Sequence, residues 1–274
     1  MYRSVFFIIV LFILLAPLEG QAEYGRTPVN TIDPAVIKID EKTFLGAKLD
    51  GEYLIKDAEG KEFQLKEIFG KPAILVLSYF NCDGVCPTIN MDLKARLDSL
   101  EVLRRGEDYR VLTLSFDRAD GVENARMFSE KVGIGKSGGW RVGVMEKKED
   151  IDKLTASVGF KFFWSMRDRT FIHPNVFIFL SPEGRVVRYL YGANMDKTDI
   201  KVAIAEAGFG NPVNSMVREI NDLLLIACYS YNYKEGKYTL NYPLFIAAGS
   251  LFSALSLTVL GLVIYKRKKG KGVK

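Results

Sequence analysis

Between residues 51 and 207 the apolar positions fall in short blocks whose rhythm changes from block to block. In 51–65, Tyr53, Ile55, Phe63 and Leu65 flank the turn sequence Asp57-Ala58-Glu59-Gly60-Lys61, which predicts a β-hairpin. The run Ala73-Ile74-Leu75-Val76-Leu77-Ser78-Tyr79-Phe80 is almost wholly apolar, a buried strand by its length and β-branched content. From 87 to 103, Ile89, Leu93, Leu97 and Leu100 recur at helical spacing, and Pro87 suits a first helical turn.

The alternation continues with strands over 109–116 and 140–145, and helices over 121–132 and 149–158. A second hairpin, 175–180 with 185–190, turns about Ser181-Pro182-Glu183-Gly184, and a helix over 197–207 closes the domain. Strands alternating with helices imply a central sheet covered on both faces, to which the late hairpin adds antiparallel strands. The expected class is α/β: a thioredoxin-like domain over 43–208, a central mixed sheet flanked by helices, plus one C-terminal transmembrane helix. An extended lead-in, 23–42, precedes it, interrupted by Pro28 and Pro34.

The ends of the chain follow other rules. Residues 1–22 read as a signal peptide, with Arg3, an apolar stretch over 5–15, and Gly20-Gln21-Ala22 suited to cleavage after Ala22; an uncleaved first membrane helix is the alternative. Residues 244–265 contain no charged residue and are long enough to span a bilayer. The basic tail 266–274 then belongs in the cytoplasm by the positive-inside rule, which places the domain on the extracytoplasmic, or periplasmic, side of the inner membrane. Between domain and span, the connector 209–243 offers an amphipathic helix through Val213, Val217, Ile220, Leu223 and Leu224. The tyrosine-rich Cys228-Tyr229-Ser230-Tyr231-Asn232-Tyr233 follows, and tyrosines so close to a span suit the membrane interface.

Charge adds topology and no nucleic-acid partner. The net charge is +5, yet the tail alone holds six Lys or Arg, leaving −1 for the rest, and no basic cluster lies on the folded domain.

The candidate chemistry sits at a junction. Asn81-Cys82-Asp83-Gly84-Val85-Cys86-Pro87 places two thiols where the buried strand gives way to a helix, and the chain's only histidine is His173 in Phe171-Ile172-His173-Pro174-Asn175-Val176. Free N–H groups and the macrodipole at a helix N-terminus favour a thiolate, and Cys86 is the better placed of the pair. Thiolates are soft ligands for Cu(I), while imidazole accommodates both Cu(I) and Cu(II), so a Cys2His set can hold either state. The three-residue spacer departs from the C-x-x-C of a dithiol couple, although a disulfide can still form across it.

In thioredoxin-like folds the loop before the third main strand carries a cis-proline against the cysteine pair, and 172–179 resembles that loop and strand, which turns His173 towards the cysteines. With these motifs the chain resembles the Sco/SenC family of membrane-anchored copper proteins that assist cytochrome c oxidase assembly, in a bacterial branch with a C-terminal anchor; the likeness runs from about residue 39 to the membrane helix. The resemblance implies copper ligands at Cys82, Cys86 and His173, and a copper-receiving oxidase subunit as partner. It also puts the family's aspartate after the second strand on Asp117, where a carboxylate can orient an imidazole. Pro174 directly after the histidine departs from the family's usual pattern. Cys228 reads as a small hydrophobe near the membrane. The alternative function is a thiol-disulfide oxidoreductase that keeps the oxidase's copper-site cysteines reduced, using Cys82 and Cys86 without the histidine.

Overall fold

Ile55 and Phe63, both buried, face each other across the first hairpin, as their alternation predicts. A computed structural model describes residues 38–81, 85–134, 138–192, 195–209 and 223–271. The expected signal peptide, most of the lead-in, Cys82 and the amphipathic positions 213–220 lie outside the described residues.

A single helical turn, α1 (Glu41–Phe44), leads into β1 (Leu54–Asp57) and β2 (Glu62–Gln64), followed by a 3-10 turn, Leu65–Ile68. Next come β3 (Ala73–Ser78), α2 (Val85–Asp98), β4 (Arg110–Ser115), α3 (Val122–Val132), β5 (Trp140–Met145) and α4 (Glu149–Ser157). A small hairpin, β6 (Phe163–Ser165) with β7 (Thr170–Ile172), precedes β8 (Val176–Leu180), β9 (Val186–Tyr191) and α5 (Lys197–Gly208). The chain ends with β10 (Tyr229–Asn232), β11 (Lys237–Leu240) and α6 (Tyr242–Lys271).

Seven strands form one mixed sheet in the order β2-β1-β5-β4-β3-β8-β9. The pairs β3–β4 and β4–β5 are parallel, whereas β3–β8 and β8–β9 are antiparallel. Every residue of β3 and β8 is buried, the signature of central strands covered on both faces. Helix α2 touches α3 and α5, α3 packs on β5 and β1, and α5 packs on β8 and β9. At the β8–β9 turn Gly184 has φ +77°, and a Cβ there would stand 2.4 Å from the Phe69 ring, so only glycine closes this hairpin.

The hairpins β6–β7 and β10–β11 are absent from the sequence expectation. In the second, Tyr231 and Tyr238 pack against the domain. The Tyr231 hydroxyl donates to the carbonyl of Tyr189 at 2.6 Å, and Tyr238, buried, donates its backbone N–H to Asp199 at 2.7 Å. Arg188 supplies the reason, for its guanidinium lies 4.3 Å from the Tyr231 ring centre and 5.7 Å from that of Tyr238, while bonding both carboxylate oxygens of Glu206. The buried cation attracts ring faces from the next hairpin. In α6, Tyr242–Ile264 is long and apolar enough to cross a membrane, and none of it is buried in the protein. At 23 residues it spans about 35 Å against a hydrocarbon core of about 30 Å.

Candidate metal centre

Strands β3 and β8 pair antiparallel with Val76 opposite Phe177, so the chain leaving β3 for α2 runs beside the chain that enters β8 from His173. This register joins segments 87 residues apart: the Sγ of Cys86 lies 3.6 Å from Nε2 of His173. Cys86 is the second residue of α2 and only 2% exposed. There the positive end of the helix macrodipole favours a thiolate.

The histidine is oriented by its own neighbour. Nδ1 lies 3.0 Å from the carbonyl oxygen of Pro174. A carbonyl can only accept, so Nδ1 carries the proton and Nε2 turns a lone pair towards the sulfur. Burial holds the imidazole below its ordinary value, against the opposing effect of the Pro174 hydrogen bond, which keeps the ring neutral, the form that ligates metal. Phe116, Phe160 and Tyr79 surround it with ring centres at 5.1, 5.8 and 6.2 Å.

Two buried polar networks fix the strand-to-helix junction. Asn90, fully buried, donates to the Cys86 carbonyl at 2.9 Å and to Ser78 Oγ at 3.0 Å. Its own oxygen accepts from Thr113, which accepts from the Trp140 indole. Asp120, also buried, accepts the backbone N–H of Phe80 at 2.7 Å and the Ser115 hydroxyl. Burial raises its carboxyl above the usual range, although both hydrogen bonds oppose this.

Of the residues singled out from sequence, the structure brings Cys86 and His173 together, while Cys82 lies outside the described residues. Asp117 sits one residue past Phe116, but its Oδ1 accepts the N–H of Ala119 at 2.9 Å, and the imidazole Nδ1 is held by Pro174. Cys228 is half-buried at the end of a helical segment, 223–228, and its carbonyl accepts from the N–H of Asn241 at 2.8 Å. Among the described residues every peptide bond is trans, so the expected cis-proline at Pro174 is not found; trans is the lower-energy state of an X–Pro bond. Sequence reading missed Asn90 and Asp120. Asn90 carried a usable signal: it stands four residues after Cys86 and three before Leu93, a polar residue within the buried stripe of a helix.

The donor geometry suits a small thiophilic metal ion. Bonds of about 2.3 Å to sulfur and about 2.0 Å to nitrogen, across a tetrahedral angle, separate the donors by about 3.5 Å, against the observed 3.6 Å. Among the described residues no group of three or more His, Cys, Asp or Glu stands ready to hold a metal.

The SCO1/SenC family model matches residues 41–207. None of the curated proteins compared with the chain matches it. Among solved structures, an Aquifex aeolicus VF5 protein provisionally assigned to electron transfer is 35% identical, with TM-score 0.55, over 60% of this chain and 94% of its own. A second structure from that organism, provisionally assigned to electron transport, is 34% identical with TM-score 0.53, over 60% and 98%. A SCO1/SenC family lipoprotein from Bacillus anthracis str. Ames shares the fold at 22% identity and TM-score 0.51, over 60% and 94%.

Proposed function

The chain belongs to the SCO1/SenC family, and we propose that it is a membrane-anchored copper-binding protein that delivers copper to the dinuclear copper centre of cytochrome c oxidase during assembly. One observation carries this reading: Cys86 Sγ and His173 Nε2 stand at metal-sharing distance, with the imidazole neutral and its lone pair facing the sulfur. Cys82, four residues before Cys86, completes a Cys2His set. Thiolates hold Cu(I) and imidazole serves Cu(I) and Cu(II), so the set keeps its cargo through a change of oxidation state. Asp117 accepts the Ala119 N–H and so braces the loop that follows Phe116, whose ring packs on His173. The helix Tyr242–Ile264 anchors the domain, and the basic residues after it hold the tail in the cytoplasm, with the site on the other side.

The test is copper binding by the purified full chain and by Cys82→Ala, Cys86→Ala and His173→Ala. The wild type is expected to take up one copper with a thiolate-to-Cu(II) absorption band that each substitution abolishes. An unchanged band in His173→Ala removes the histidine from the site.

The position of Cys86 in the first turn of α2, where a thiolate is favoured, also favours a second reading, which needs no histidine. The thiolate would attack a disulfide in the oxidase copper site, releasing one partner thiolate. The other cysteine then displaces the second, leaving a Cys82–Cys86 disulfide and a reduced partner. Restoration of oxidase assembly in cells by a His173 variant unable to bind copper supports this reading over delivery.

A further inference from the structure

The hairpin β6–β7 carries three large apolar side chains in water: Phe163 is 44% exposed, Trp164 46% and Met166 83%. Lys161, Arg167 and Arg169 are exposed around them, and none of the three forms an ion pair among the described residues. The single carboxylate of the turn, Asp168, accepts the Ser165 hydroxyl at 2.7 Å. The patch is therefore apolar with a cationic margin.

The same hairpin also borders the metal centre. Thr170 shares a hydrogen bond with the Tyr79 hydroxyl. Phe171 packs on Tyr79, Phe116 and Trp164 with ring centres 5.1, 5.5 and 5.0 Å apart. Ile172, the last residue of β7, leads directly into His173. Any acceptor that takes copper by ligand exchange must bring its own donors within bonding distance of Cys86 and His173, and so must cover the surface this hairpin borders.

We propose that the exposed side chains of β6–β7 form the docking surface for the copper-receiving protein, and that the receiver presents carboxylates around an apolar depression filled by Trp164 and its neighbours. The inference rests on the copper-delivery reading. A lipid surface fits less well, because the turn that would enter the hydrocarbon is Arg167-Asp168-Arg169, whose charges would have to be desolvated. A second copy of the chain fits less well too, since its hairpin would bring the same positive charge.

The test uses the full chain in phosphatidylcholine nanodiscs and, as probe, the copper-free soluble domain of the receiving oxidase subunit. Affinity is measured without copper, and transfer with it, for wild type, the pair Arg167→Glu/Arg169→Glu, and Trp164→Ser. Both variants should bind the receiver about tenfold more weakly or worse and transfer copper correspondingly more slowly. The charge-reversed pair should also lose the salt dependence of binding, with copper stoichiometry, absorption band and unfolding midpoint unchanged. Unaltered affinity in both variants overturns the proposal. So does charge reversal that abolishes binding to vesicles containing phosphatidylglycerol, or dissociates a dimer, while affinity for the receiver stays the same. A wild type that binds no copper sinks the delivery reading alone, because the copper-free affinities still judge the docking surface.

Discussion

Nδ1 of His173 donates to the carbonyl oxygen of Pro174, the next residue in the chain, at 3.0 Å. The metal-facing tautomer is thus set by backbone, a role that a carboxylate from elsewhere fills in many metal sites. Substituting Asp117→Asn should leave the copper absorption band and affinity nearly unchanged, since the amide oxygen can still accept from Ala119. A tenfold loss of affinity, read by competition with a copper chelator, would show that Asp117 orients the imidazole instead.

Asn90 ties the N-terminus of α2 to β3 and β4. Asn90→Ala leaves the buried Ser78 and Thr113 hydroxyls short of a partner and removes the side-chain bond to the Cys86 carbonyl, and should cost about 3 kcal/mol in urea unfolding. Copper affinity should fall with it, because Cys86 loses the side-chain bond that ties its carbonyl to Ser78 and Thr113 through Asn90. Loss of stability with no change in affinity would confine Asn90 to a structural role.

Asp120 gives a pH signature. Its folded carboxyl is raised above the ordinary 3.8 by burial, so its contribution to stability is present below that value and is lost as pH rises through the folded one. Asp120→Asn stays uncharged throughout and retains an acceptor for Phe80. The melting temperature of the variant minus that of wild type should therefore increase from pH 4 to pH 7. Glu41 and Asp199, also raised by burial, titrate in both proteins and cancel in the difference. A difference that stays flat or falls contradicts the assignment.

Arg188 holds β10–β11 against the domain. Arg188→Met leaves Glu206 with the Tyr238 hydroxyl alone in place of its cationic partner and removes the cation beneath Tyr231. The cost should be about 3 kcal/mol, the lower end for a broken buried pair, because the Glu206 side chain keeps 25% of its surface exposed. Amide exchange should accelerate over 229–240 more than in β3 or β4. Uniform acceleration instead would show that the hairpin unfolds only with the whole domain.

Most of the architecture was legible from periodicity. The apolar run at 73–80 and the helical spacing after Pro87 place Cys86 at a strand-to-helix junction, and the structure has β3 and α2 there. The hairpins β6–β7 and β10–β11 were not legible. Phe163 and Trp164 lie exposed on both faces of a short strand, so no alternation marks it. Tyr231 and Tyr238 are held by Arg188, 43 and 50 residues earlier in sequence, and nothing local signals the contact.

The sequence by itself determined the α/β order, the apolar C-terminal helix and the scarcity of ligands: one histidine and three cysteines leave few ways to build a soft-metal site. These follow from local composition and period, which a chain carries whether or not it is folded. Tertiary structure decided that His173 stands 3.6 Å from Cys86, that Pro174 sets its tautomer, and that Asn90 and Asp120 brace the junction. Those contacts depend on the antiparallel register of β3 with β8, which is fixed only when both strands are buried together in one sheet.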